Sequence, residues 1–107
     1  MGVQVGFVGT RFSGTDGVSL ESAKWARVLG DHRHVSHRYS GLSDRDESTS
    51  MEVPHAYFGH PDIEWINRRV FGTRTRTPDV TQRIYAMADY LKGTLYEFTR
   101  RYSLDLL

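Results

Sequence analysis

The chain predicts an α/β fold, a Rossmann-like, mainly parallel sheet with helices on its faces, in one domain over residues 1–107. Three observations carry the prediction. The β-formers Val3, Val5, Phe7 and Val8 crowd the opening stretch and run straight into a glycine-bearing loop. An amphipathic helix follows that loop at once, which makes the first half of a βαβ unit. At the far end, after the last helical stretch, Leu104-Asp105-Leu106-Leu107 reads as the start of another buried strand.

Composition narrows the class. A hydrophobic fraction of 38% with 25% charged residues suits a globular chain with one small core. No apolar run approaches the ~20 residues of a membrane helix, and Met1 leads into a strand without a basic and then apolar leader. A cytoplasmic protein without a transmembrane segment is expected. Cysteine is absent, which removes disulfides and thiolate metal sites. Fourteen Lys plus Arg against thirteen Asp plus Glu leave a net charge of +1, so nothing in the balance calls for nucleic acid.

The first helix is read from Val18, Ser22, Trp25, Ala26 and Leu29, which fall on one face while Glu21, Lys24 and Arg27 point elsewhere. The loop before it, Thr10 to Gly17, carries the chemistry. The first N–H groups of a helix have no partners within it and sit at the positive end of its dipole. A loop that lets a ligand approach can therefore bind phosphate or sugar oxygens there. Gly14 and Gly17 permit that approach; equally, they can serve only a tight turn. Asp16, Thr15 or Ser19 can cap the helix. Gly9 and Gly14 have the spacing of a Walker loop, but Thr15 and Asp16 follow where Lys and Ser or Thr are needed, and no G-x-G-x-x-G is present.

Gly30 reads as the helix stop, and Val35 to Tyr39 as a second strand whose polar alternation suggests a sheet edge. His32, His34 and His37 lie close in sequence, yet no nearby carboxylate cluster completes a metal site, and no metal is expected. Ser40 to Glu52 reads as a mobile loop whose acids form a solvated face. Val53 to Phe58 reads as a third short strand, which Pro54 confines to an edge or turns into a merely extended segment.

Two helices close the chain. One starts at Pro61 and runs to Phe71, with Ile63, Ile66 and Val70 on one face and Gly72 as its stop. The other opens at Thr77-Pro78, and its stripe of Val80, Ile84, Met87, Leu91, Leu95, Phe98 and Tyr102 is the strongest helical pattern present. Gly93 within it costs ~1 kcal/mol relative to alanine and suggests close packing. Between the helices Arg68, Arg69, Arg74 and Arg76 gather among threonines, a set able to hold phosphate or carboxylate, or to pair with Asp62 and Glu64. Leu104-Asp105-Leu106-Leu107 reads as the start of a buried strand, as if a sheet continued past it.

The run Val5-Gly-Phe-Val-Gly-Thr-Arg-Phe-Ser-Gly-Thr-Asp-Gly-Val-Ser-Leu-Glu-Ser-Ala-Lys-Trp25 resembles the amino terminus of bacterial and archaeal retaining glycosyltransferases of the GT-B fold, the family-4 group, and His60-Pro-Asp-Ile-Glu-Trp-Ile-Asn-Arg-Arg-Val-Phe-Gly-Thr73 resembles the same proteins. The resemblance implies a partial amino-terminal, acceptor-side domain of an enzyme that moves a hexose from a nucleotide sugar to a sugar or phosphorylated small molecule. It implies no cofactor, and a donor-binding carboxy-terminal domain outside this chain. Substrate would meet Gly14, Thr15, Asp16, Gly17, Val18 and Ser19, and an anionic acceptor would meet Arg11, Arg74 and Arg76. No catalytic residue is assigned: no Glu here has a second Glu eight positions on, as the family's Glu-x7-Glu requires, and its first-domain catalytic histidine has no counterpart. The chain alone is expected to be inactive. The competing reading is a non-catalytic α/β binding or interaction module.

Overall fold

The computed structural model describes residues 2–72 and 76–107. Its frame is a parallel sheet of β1 (Gln4–Val8), β3 (Val35–Ser40) and β5 (Ser50–Glu52), in the order β1-β3-β5. The register sets Gly6 beside His37, and Arg38 beside Ser50. On the other side of β1, Leu106 forms a parallel bridge with Val5 and its carbonyl accepts from the Gly6 amide at 2.7 Å. Read across, the order is that of half a doubly wound sheet, so the Rossmann-like α/β fold expected from the sequence is the fold observed.

Past the carboxyl ends of the sheet, β2 (Arg11–Phe12) and β4 (Leu42–Ser43) form a second, two-stranded parallel pair. The two ladders are joined by Gly9 donating to the Tyr39 carbonyl at 3.0 Å and Gly41 donating to that of Thr10 at 2.9 Å. A side chain at position 41 would meet the Tyr57 nitrogen at 2.0 Å, which is why glycine stands there.

Helix α1 (Gly17–Asp31) leaves β2 and returns to β3. Its buried face is turned from the expected one: Ser19 and Ser22 are buried, whereas Val18 and Trp25 are exposed. The helix also ends beyond Gly30. Arg33 takes the left-handed conformation at φ 65, its N–H donates to the Gly30 carbonyl at 3.0 Å, and that of His34 donates to Leu29 at 2.9 Å. These are the paired bonds of a Schellman ending, here built on an arginine.

Three further expectations are corrected. The strand Val35–Ser40 is central, not an edge, because its polar side chains find partners: His37 Nε2 donates to Gln4 Oε1 at 2.7 Å, and the Tyr39 hydroxyl meets Thr94 Oγ1 at 2.6 Å. Residues 40–52 hold β4, a 3₁₀ turn over Glu47–Thr49 and β5 where a loop was expected. The strand expected at 53–58 is a 3₁₀ turn over Pro54–Ala56, since proline has no N–H with which to extend the ladder.

Helices α2 (Pro61–Phe71) and α3 (Pro78–Arg101) fall where the periodicity put them. Phe98 is fully buried in a core with Tyr39, Met51 and Val53, and Leu91, Leu95 and Tyr102 pack around it. Gly93 does not mark close packing, for a side chain there would touch nothing within 4 Å.

Candidate functional site

The loop between β1 and α1 is organised by its own polar groups. Gly14 sits at φ +69 and its N–H donates to Asp44 Oδ2 at 2.8 Å. Asp16 is the helix cap, accepting the Ser19 N–H at 3.0 Å and the Ser19 hydroxyl at 2.9 Å. These two bonds, with the Arg11 guanidinium at 3.2 Å, hold the Asp16 carboxyl below the ordinary carboxylate range. Ser19 Oγ also accepts from the Ser13 N–H at 3.0 Å.

The residues expected to meet substrate therefore divide. Ser19 is fully buried and its hydroxyl is committed to the loop; Asp16 faces the helix; and Arg11 is tied to Asp16 and to the Ser13 carbonyl at 3.4 Å. Gly14, Thr15, Gly17 and Val18 are exposed, and a side chain added at Gly17 would meet nothing within 4 Å, so this corner of the helix start is open.

Beside the loop lies a hollow of about 480 Å³ lined by Ser43, Asp44, Arg45, Glu47, Ser50 and Glu52. Arg45 joins the two, with Nη1 3.2 Å from Asp44 Oδ1 and Nη2 donating to the Ser19 carbonyl at 3.5 Å. Loop and hollow thus share the region outside the carboxyl ends of the strands, where open α/β sheets bind their ligands. The acids here are not simply a solvated face: Asp44 binds Gly14, Asp46 Oδ1 accepts the Ser48 N–H at 2.9 Å and Glu52 accepts that of Ser43 at 3.3 Å. Sequence reasoning missed this set because a run of Asp, Arg, Glu and Ser has the composition of solvated loop. The available signal was its position between two strand ends.

The other expected groups do not gather here. Arg74 lies outside the described residues; Arg76 is exposed, and among the described residues no hydrogen bond or ion pair joins it to the loop. Arg69 and Arg83 stack on Trp65, at 3.8 and 4.6 Å from its ring centre, and Arg68 Nε donates to the Glu64 carbonyl at 3.4 Å. Asp62 pairs with His55, not with an arginine. His34 accepts the Val3 N–H at 3.1 Å while His37 turns to Gln4, so those histidines do not converge.

One group of metal-type ligands does converge among the described residues. His55, His60 and Asp62 bring their ligand atoms within 4.8 Å of one another, beside a 280 Å³ pocket between α2 and α3. Each is already engaged: His55 Nε2 donates to Asp62 Oδ2 at 3.0 Å, and His60 Nδ1 accepts the Asp62 N–H at 3.1 Å as the cap of α2. A metal would have to displace the His60 bond, since a ligating imidazole carries its proton on the other nitrogen, whereas His55 could ligate through Nδ1 and keep its bond to Asp62.

Against known proteins, the likeness is to a glycosyltransferase, over part of the chain. The relative is the mannosylglucosylglycerate synthase of Thermotoga maritima, 37% identical over 57 residues, which are 53% of this chain and 13% of that protein. No protein-family profile matches the chain, and no solved structure matches it. No helix among the described residues is long and apolar enough to cross a membrane.

Proposed function

We propose that the chain is the acceptor-side, amino-terminal portion of a retaining GT-B glycosyltransferase of the family-4 type, transferring a hexose from a nucleotide sugar in the cytoplasm. The observation that carries the reading is the 57-residue likeness to the mannosylglucosylglycerate synthase. The open start of α1 outside the strand ends supports it, since exposed N–H groups beside Gly17 suit the oxygens of an acceptor. A separate domain supplies donor binding, and the chain by itself does not turn over. Arg11, Arg74 and Arg76 are the contacts for an anionic acceptor, Arg11 sharing its guanidinium with Asp16.

Sugar transfer is to be followed from a panel of labelled nucleotide sugars, by the chain alone and by the chain together with the sequence encoded downstream. Turnover only in the second case is expected. Turnover by the chain alone refutes the division of labour, and turnover by neither refutes glycosyl transfer. In the active protein Gly17→Val should abolish most transfer with an unchanged melting temperature, because the added side chain enters open space and not the core. Full activity of that variant would remove the loop from the site.

A further inference from the structure

Two imidazoles and a carboxylate meet where the turn after β5 enters α2. His55, His60 and Asp62 come from one short stretch, His55-Ala-Tyr-Phe-Gly-His-Pro-Asp62, and offer ligand atoms within 4.8 Å of one another. The stretch is held by its own backbone. The Tyr57 N–H donates to the Pro54 carbonyl at 3.1 Å, that of His60 to Tyr57 at 3.0 Å and that of Glu64 to His60 at 2.9 Å. Pro54 and Pro61 fix φ at the start of the 3₁₀ turn and of α2. The two histidine ring centres lie 4.0 Å apart, and the Tyr90 ring of α3 meets His55 edge-on at 5.2 Å between centres. The fold thus gathers and orients the donors by itself.

We propose that His55, His60 and Asp62 bind one divalent transition-metal ion of the zinc class. Two imidazole nitrogens and a carboxylate oxygen are donors such an ion takes, whereas Mg²⁺ and Ca²⁺ prefer oxygen alone. Ligation through His55 Nδ1 would leave the carboxylate outside; ligation through Nε2 brings all three donors to one ion. His55 Nε2 and Asp62 Oδ2 are 3.0 Å apart, close to the ~3.3 Å between neighbouring donors around a tetrahedral ion with bonds of ~2.0 Å. The ion takes the place of the proton between them, and that proton moves to His55 Nδ1. His60 gives up the Asp62 N–H, which sits at an exposed position and turns to water. A cation at the start of α2 works against the helix dipole, and Asp62 and Glu64 in the first turn offset it. Arg83, which lines the same 280 Å³ pocket as His55 and Asp62, stacks on Trp65 and leaves the carboxylate to His55. That pocket has room for the water that completes a three-ligand site. Nothing in the proposal depends on glycosyl transfer.

The test is calorimetric titration of the tag-free protein with Zn²⁺, Mg²⁺ and Ca²⁺. Zn²⁺ should bind one to one and at least ~100-fold more tightly than either of the others. His60→Asn, which keeps a side-chain cap for α2, should weaken Zn²⁺ at least ~10-fold while the metal-free protein melts as wild type does. Asp62→Asn should also weaken it at least ~10-fold, because the ion loses a charged ligand while His55 keeps an acceptor. His32→Gln, at an exposed position outside the set, should bind like wild type. Zn²⁺ at a hundredfold excess over its dissociation constant should raise the melting temperature of wild type by several degrees and that of His60→Asn by far less. No Zn²⁺ binding, Mg²⁺ or Ca²⁺ binding as tight as that of Zn²⁺, or a folded His60→Asn or Asp62→Asn variant that binds like wild type each overturns the inference. So does a wild-type melting temperature that Zn²⁺ leaves unchanged, since the fold would then not be what gathers the donors.

Discussion

The two halves of α3 carry one apolar stripe but pack in different ways. Toward its carboxyl end, Leu91, Leu95, Phe98 and Tyr102 lie against Tyr39, Met51 and Val53 of the sheet region, and Phe98 is fully buried. Toward its amino end the same stripe meets α2, where Val80 is buried but Ile84 and Met87 are only half covered. The periodicity is identical, so it identifies the buried face and says nothing of what covers it or how completely. The sheet half is the molecule's core, and the α2–α3 hairpin is an extension held by a smaller contact.

The sharpest way to break that comparison is at Phe98. Phe98→Ala should cost about 3–5 kcal/mol, the range for emptying a core phenylalanine site, and lower the melting temperature by well over ~10 °C. Val80→Ala, which deletes two methyl groups in the hairpin, should cost about 2 kcal/mol. Chemical denaturation of both variants checks the ratio. If Val80 costs as much as Phe98, the hairpin belongs to the core.

Next in size is the loop before α1, on the sheet side of the comparison. Ser19→Ala removes the hydroxyl that accepts the Ser13 N–H and binds Asp16, leaving a half-buried donor unpaired, and should cost about 1–3 kcal/mol. Its melting transition decides the point, because a variant as stable as wild type would show that the loop is set by the backbone alone.

These two regions also mark how far the sequence could be read. Helices α2 and α3 were legible, their starts to the residue, because proline opens each and one stripe runs through it. The parallel class of the sheet was legible from the β1–α1 junction. The central place of β3 was not, since its histidine and tyrosine look like edge residues until Gln4 and Thr94 satisfy them from distant parts of the chain. The same holds for the hollow. Asp44 and Arg45 become part of a site only because they reach Gly14 and Ser19, contacts across 30 and 26 residues that no local pattern records.

A pH titration sharpens the comparison on the sheet side. His37 is buried, stacked on Tyr102 at 4.2 Å, and burial holds its pKa below the ordinary 6.5. The unfolded chain therefore takes up the proton first. The contribution of neutral His37 to stability should be complete above pH 6.5 and be lost as the pH falls toward its folded value, by at most ~1.4 kcal/mol per pH unit. Urea midpoints between neutral and mildly acidic pH should drop more steeply for wild type than for His37→Gln. Equal slopes would show that the acid sensitivity does not come from His37.

The smallest effect concerns the middle of α3. Gly93 lies among the residues that pack on the sheet, yet its own position faces open solvent, with nothing within 4 Å of an added side chain. A glycine inside an exposed helical turn loses more backbone freedom on folding than alanine does, without any contact in return. Gly93→Ala should therefore stabilise the protein by about 0.5–1 kcal/mol and raise the melting temperature by a few degrees, roughly 2–8 °C for a domain of this size. The substitution adds no contact to either half, so it stiffens the link between them without changing what each buries. A melting temperature that falls instead would mean that α3 bends at Gly93 and that the hairpin depends on the bend for its position over the sheet.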